Sequence, residues 1–417
     1  MRKTILFWLP LAATWLMMAV EGPYIAAIVA RMPAAAHSLA AYGVATALAW
    51  LIESPIMMLL SASTALVHGR ASYLALRRFA FALNGLVTAG MLVLAIPPVF
   101  RFVGETLIGL PPEISRLAHL STTIMIPWPA AIGYRRFYQG ILVKHHLTRR
   151  VAYGTVLRLA TMSVTAVLLV WGTALSGAAV GAIALLSGVL LEAAASRWMA
   201  HAVVADLMTR GEEPETGALL TMRDVARFYF PLALTSMLAM ALGPLVTFGL
   251  GRGRAPIESL AVWPVVQGMG FIFRSGGVAF QEVAIALRGP EVRRTGLFLG
   301  VLASLGLALV AFTPLEDVWL RRVTGLPAEL ASFAAVPIRI LVLLPFLEFL
   351  LSIQRAGWIV SHRTGVVTVA TAIEGAGLAC MLFLLAGPLA MVGAVAGAIA
   401  TIAGRLAANA YLAFAGR

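Results

Sequence analysis

The chain has 417 residues, 61% of them hydrophobic and only 12% charged, against about 45–50% apolar and about 25% charged in an ordinary soluble domain. With a mean hydropathy of +0.92, too much apolar surface is present for a soluble fold to cover. Soluble enzymes, nucleic-acid modules and secreted disulfide scaffolds are excluded, leaving an all-α polytopic membrane protein. The 31 Lys and Arg against 18 Asp and Glu give a net charge of +13. These basic residues fall in short loops between apolar runs, where they orient a chain against a membrane rather than bind nucleic acid.

A bilayer core of about 30 Å needs about 20 apolar residues per helix. Arg2-Lys3 followed by an apolar run resembles the start of a signal peptide, but the run continues to Val29, too long for such a segment. It is expected to stay as the first membrane helix. Read between charged or Pro/Gly-rich breaks, the chain gives about twelve spans: 4–30, 38–67, 79–102, 117–142, 150–172, 177–203, 225–250, 257–285, 293–314, 330–358, 364–386 and 389–414. Several are long enough to require tilt or breaks. Pro127, Pro129, Pro337 and Pro345 interrupt the fourth and tenth. The single Cys380 lies in an apolar run and offers neither a disulfide nor a metal site. His145-His146 fall at a helix end and read as interfacial, so no metal is expected.

Loop charge sets the topology. The loops on the side of the termini hold about 16 basic residues against 7 on the other, which places both termini in the cytoplasm. Three segments follow: a six-helix lobe at 1–205, a cytoplasmic linker at 206–224 carrying Glu212-Glu213-Pro214-Glu215, and a second six-helix lobe at 225–417.

The halves repeat one another. Phe7-Trp8-Leu9-Pro10-Leu11-Ala12 recurs as Phe228-Tyr229-Phe230-Pro231-Leu232-Ala233, Gly22-Pro23 as Gly243-Pro244, and Ser38-Leu39-Ala40 as Ser259-Leu260-Ala261. Gly109-Leu110-Pro111-Pro112-Glu113 matches Gly325-Leu326-Pro327-Ala328-Glu329, and Gly181-Ala182-Ile183-Ala184 matches Gly397-Ala398-Ile399-Ala400. Six crossings return the chain to its starting side. The two lobes are therefore expected to be related by a pseudo-two-fold axis along the membrane normal, with a binding region between them. That is the architecture of an alternating-access transporter, not of a receptor or an intramembrane enzyme. Gly22-Pro23 and Gly243-Pro244 sit mid-span in the first and seventh helices, where proline is expected to bend the helix. They are candidate hinges or packing kinks.

Ionisable residues inside spans are costly and usually face a cavity or a partner. The first half offers Glu21, Glu53, Arg135, Arg136, Arg158, Glu192 and Arg197. The second offers Arg274, Glu282, Arg339, Glu348, Arg355, Glu374 and Arg405. Arg197, Glu282 and Arg355 read as side chains snorkelling from helix ends, whereas Glu53, Arg158, Arg274, Arg339 and Glu348 lie deeper. Glu53 falls on Arg274 at the repeat offset of 221, which suggests a gate ion pair, or a substrate arginine beside a proton-sensing glutamate. A guanidinium stays charged when buried and presents a fork suited to carboxylate or phosphate. Deep arginines thus favour anionic cargo. No Gly-rich loop with Lys-Ser/Thr, no His-Glu-x-x-His and no nucleophile elbow occurs, so no enzymatic activity or cofactor is expected and transport would draw on gradients, with H+ or Na+ as a coupling ion.

Several stretches resemble the progressive ankylosis (ANK) family, membrane proteins linked to export of pyrophosphate, citrate and ATP. They are Leu39-Ala40-Ala41-Tyr42-Gly43-Val44-Ala45 followed by Pro55, Gly140-Ile141-Leu142-Val143-Lys144-His145, Phe230-Pro231-Leu232-Ala233-Leu234, and Val336-Pro337-Ile338-Arg339-Ile340 followed by Pro345 and Gly357-Trp358. That family is similar in turn to multidrug and toxic compound extrusion (MATE) transporters, so the resemblance implies a MATE-like fold. It carries Arg339 over as a site residue but not Glu53, where the family pattern has a small polar residue. Compact loops suggest a bacterial member, in the inner membrane.

The resulting expectation is a monomeric exporter of small polyanions such as pyrophosphate or citrate, in contact with membrane lipids and with no nucleic-acid partner. Arg274 and Arg339 would clamp the anion, with Arg158 and Arg405 as further candidates, and Glu53, Glu192, Glu348 or Glu21 would gate or take a proton. A cation-coupled exporter of organic cations, using Glu21, Glu53, Glu192 and Glu374, is the alternative. A lipid-linked precursor flippase is the third reading.

Overall fold

The structure is a computed structural model, which describes residues 1–209 and 221–415. Most of the expected linker, Glu212-Glu213-Pro214-Glu215 included, lies outside the described residues. The first half contains α1 (Arg2–Val29), α2 (Ala35–Glu53), α3 (Leu59–Leu66), α4 (Arg70–Ala95), α5 (Pro97–Arg101), α6 (Pro112–Ile124), α7 (Trp128–Lys144), α8 (Thr148–Gly172), α9 (Gly177–Met199) and α10 (His201–Thr209). The second contains α11 (Met222–Leu250), α12 (Pro256–Leu287), α13 (Pro290–Ala311), α14 (Leu315–Asp317), α15 (Ala328–Ile340), α16 (Leu344–Val360), α17 (Thr364–Ala386) and α18 (Gly393–Phe414). The protein is all-helical; among the described residues the only β pairing is a bridge between Arg254 and Val392.

Among the described residues eleven helices, some of them continuous across a short turn, are long and apolar enough to cross a membrane. The expected span 117–142 is absent from these because it is divided. Proline has no N–H and its ring crowds the preceding turn, so α6 ends before Pro127 and α7 begins after it. In the second half the matching joint is only a short 3-10 turn, Leu341–Leu343, and Pro345 sits harmlessly in the first turn of α16. Pro337, expected to interrupt, is carried inside α15. Both α1 and α11 run through Gly22-Pro23 and Gly243-Pro244 as single helices.

The repeat is present element by element. Helices α6 to α9 start at Pro112, Trp128, Thr148 and Gly177, and α15 to α18 start 216 residues later at Ala328, Leu344, Thr364 and Gly393. Even a short π-helical stretch is duplicated, Phe102–Leu107 and Val318–Val323. The repeated small residues mark close helix packing, as expected where apolar lipid provides no hydrophobic drive for association. A Cβ on Gly177 would lie 3.1 Å from Ser38, and one on Gly393 would lie 2.9 Å from Ser259. Likewise Gly181 seats Tyr42 and Gly397 seats Trp263. The same contact is thus built twice.

The chain divides into two compact units, Met17–Ala233, and Met1–Leu16 with Leu234–Arg417. The first half of α1 therefore packs with the second repeat, and the first half of α11 with the first. The core of the first unit includes the fully buried Tyr73, Phe100, Phe137 and Tyr138. That of the second is built on Trp263, Leu307, Leu320, Ile338 and Leu344. Large apolar side chains such as Trp171, Trp198 and Phe383 are exposed, the surface that a lipid-embedded helix presents.

Candidate functional site

Each unit holds one buried cluster of charge. In the unit Met17–Ala233 the centre is Glu192 on α9, which is wholly buried. Its carboxylate accepts from Arg135 Nη1 at 2.5 Å, Thr155 Oγ1 at 3.0 Å, Gln139 Nε2 at 3.1 Å and Arg158 Nη1 at 3.5 Å. Arg158 also donates through Nη2 to Glu21 at 2.5 Å, and its guanidinium lies over the Trp128 ring at 5.6 Å. Trp128 in turn donates its indole N–H to Glu53, on which the Arg136 guanidinium also acts electrostatically. Helix spacing explains the assembly: Arg135 and Gln139 are four apart on α7, so both reach the same carboxylate. Three glutamates meet three arginines, each glutamate has a donor, and all six side chains are buried.

The second unit has a different balance. Glu348 on α16 accepts from Arg274 Nη1 of α12 and Arg405 Nη1 of α18, each at 3.2 Å. Arg405 Nε lies 2.9 Å from Glu374 of α17, and Arg355 lies 3.8 Å from the other oxygen of that carboxylate while donating to Thr371 at 2.8 Å. Asn409 holds the α16–α18 approach by donating to the Leu347 and Arg405 carbonyls. Here two carboxylates meet three guanidiniums. Arg274 is the most open of the five, its side chain 25% exposed, and it lies over the Phe271 ring at 5.2 Å. Its Nε has no hydrogen-bond partner, as is also true of Arg355 here and of Arg135 and Arg158 in the first cluster.

Of the residues singled out from sequence, Glu21, Arg158 and Glu192 come together in one cluster with Glu53 at its edge, and Arg274, Glu348 and Arg405 in the other. Arg339 pairs with Glu316 at 2.8 Å, donates through Nε to the Ala311 carbonyl, and has a side chain 44% exposed. In this structure Glu53 and Arg274 each have their own partner, Trp128 and Glu348. Arg355, read as snorkelling, is instead half-buried against Thr371 and Glu374. Arg197 lies over the Tyr138 ring at 5.3 Å. Trp128, Gln139 and Thr155 were not anticipated. Gln139 had one signal, since it falls on Arg355 at the 216-residue offset. Among the described residues no group of His, Cys, Asp or Glu could hold a metal ion.

This order of helices and its internal repeat are the fold of MATE transporters of the MOP superfamily. The chain is similar to a MATE transporter of Vibrio cholerae, at 13% identity over 99% of this chain and 95% of that one, with a TM-score of 0.76. It is similar also to a MOP superfamily transporter of Pyrococcus furiosus, at 13% identity over 100% and 96% with a TM-score of 0.74, whose binding pocket is described as reversed in polarity, suggesting a different function. A third is an outward-facing multidrug resistance MATE family transporter, at 13% identity over 98% and 93% with a TM-score of 0.75. No family model matches the chain, and no curated protein does, so the likeness to the ANK family rests on the residue stretches alone.

Proposed function

We propose that this protein is an alternating-access transporter that exports small polyanions, pyrophosphate or citrate being the expected type, across a bacterial inner membrane with both termini in the cytoplasm. The observation that supports it is the cluster in which Arg274, Arg355 and Arg405 gather about Glu348 and Glu374 among the described residues, with Arg274 partly open. Arg274 and Arg405 hold the anion, and Glu348, which they share in the structure, is the carboxylate the anion replaces. Arg158 is committed to Glu21 and Glu192, and Arg339 to Glu316, so their contributions are secondary. The MATE-like fold supports the transport mode, and the pocket of reversed polarity described for the Pyrococcus furiosus protein is in keeping with a cargo other than that of multidrug exporters.

A second reading, export of organic cations, is favoured by the likeness to a multidrug resistance transporter. Against it, Glu21, Glu192, Glu348 and Glu374 all carry arginine partners, leaving little net acid for a cation. Uptake of labelled pyrophosphate and labelled citrate into proteoliposomes decides between them. Wild-type uptake that Arg274→Gln abolishes and Arg339→Ala only reduces is expected. Transport of ethidium without transport of either anion would overturn the anion reading.

A further inference from the structure

Within the two compact units, α1 and α11 make the same hydrogen bond in duplicate. Trp8 donates its indole N–H to the Gly276 carbonyl at 2.8 Å. Tyr229 donates its hydroxyl to the Pro55 carbonyl at 2.7 Å. Donors and acceptors are both 221 residues apart, Trp8 with Tyr229 and Pro55 with Gly276. The surrounding face is duplicated too: Thr4, Phe7, Leu11 and Thr14 are buried on α1, and Val225, Phe228, Leu232 and Thr235 on α11. Each ring is supported by another, Trp8 by Phe349 at 6.1 Å and Tyr229 by Phe79 at 5.1 Å.

We propose that Trp8 and Tyr229 are a matched pair of latches that close the face of the membrane carrying the N-terminus, and that both are released when the transporter opens there. The inference rests on the alternating-access reading. Each latch fixes the start of a helix from one repeat to a backbone carbonyl of the other. Each helix then continues into the opposite compact unit, since the division falls at Leu16 and at Ala233. Opening this face requires each helix start to leave the compact unit in which it packs and follow the rest of its own repeat, and equal bonds at equivalent positions make that release symmetric. The acceptor side is shaped for the ring: a Cβ on Gly276 would lie 2.7 Å from Trp8 Cζ2. A backbone carbonyl as acceptor is uncharged, so the latch imposes no demand on the charge of the cargo.

The test reads conformation without needing cargo. Cys380 is replaced by Ala, and spin labels are placed at Arg149→Cys and Gly365→Cys. Both positions are exposed, and a Cβ at Gly365 meets nothing within 4 Å. Both follow an even number of spans, on the face of the N-terminus. Distances are measured in liposomes for wild type, Trp8→Phe, Tyr229→Phe, the double variant, and Gly276→Ala, which reaches the Trp8 bond from the acceptor side. An interhelical side-chain bond in a membrane protein is worth little, so each lost donor should enrich the long-distance population about threefold and both about tenfold. Gly276→Ala should enrich it like Trp8→Phe. Variants that match wild type, while pyrophosphate or citrate shifts the wild-type distances, would refute the latch and leave the transport reading standing. A single distance in every sample, with or without anion, would overturn both.

Discussion

Glu192 tests the physical account of the buried clusters most directly. Replacing it with Gln preserves shape and removes one charge, leaving Arg135 and Arg158 without their shared counter-ion in a site from which water is excluded. Breaking a buried pair from one side costs about 3–5 kcal/mol, because the remaining charge has no solvent to return to. The substituted amide also turns an N–H₂ toward donors, which adds to the loss. For a unit of this size, about 2–4 °C of melting temperature accompanies each kcal/mol, so Glu192→Gln should melt roughly 6–20 °C below wild type. The control is Arg321→Gln. Arg321 pairs with Asp317 at 2.6 Å, close to the 2.5 Å between Arg135 and Glu192, but with side chains 51% and 61% exposed. An exposed pair is worth about 0–1 kcal/mol, so this variant should melt within a few degrees of wild type. Thermal unfolding in detergent, followed by size-exclusion, measures both. Equal melting temperatures for Glu192→Gln and wild type would refute the claim that burial, rather than distance, sets the value of these pairs.

Three further outcomes are expected. Gly404→Ala would push its Cβ to 2.6 Å from the Glu374 carbonyl, and Gly188→Ala to 2.8 Å from that of Arg158; each should cost about 1–3 kcal/mol, read as a lowered melting temperature, and no loss in either would refute the close helix approach. Gly22→Ala and Gly243→Ala meet nothing within 4 Å, so helix propensity alone should stabilise each by up to about 1 kcal/mol; transport that slows while stability rises would mark the Gly-Pro pairs as hinges, and unchanged transport would mark them as packing. A fluorescent reporter fused after Arg417 should be active in the cytoplasm and a periplasmic phosphatase inactive; the reverse would overturn the topology drawn from loop charge.

Much of the fold was legible because a membrane permits few solutions. Each span must be apolar for about 20 residues, and the repeat could be read because its small residues are fixed by contact: Ser38 and Gly177 touch, as do Ser259 and Gly393. Several of the buried charged residues were legible for the complementary reason, that charge in an apolar run stands out. Their partners were not. Trp128 and Thr155 resemble ordinary helix residues, and nothing in a linear sequence says that one donates to Glu53 and the other to Glu192. The halving of α1 and α11 between compact units was likewise hidden, since a helix that changes company midway has the same hydropathy throughout.

The Glu53 and Arg274 correspondence shows where symmetry reasoning needs care. Equal positions in two repeats are equivalent sites, and equivalence alone does not make them neighbours. The useful question is what each repeat did with the same position. At the 216-residue offset, Arg158 falls on Glu374 and Gly188 on Gly404, and in both repeats the glycine packs against the backbone carbonyl of the charged residue. The scaffold is conserved between repeats while the charge is inverted. Around Arg158 the first repeat gathered carboxylates until charge balanced, with the whole cluster buried. Around Glu374 the second gathered arginines, beyond balance, and left Arg274 partly open. A closed, neutral network resists change and suits support, whereas one with excess positive charge and a partly open guanidinium suits an anionic ligand. Two copies of one fold unit thereby differ in charge balance and exposure, and on that difference the proposal places the anion in the second.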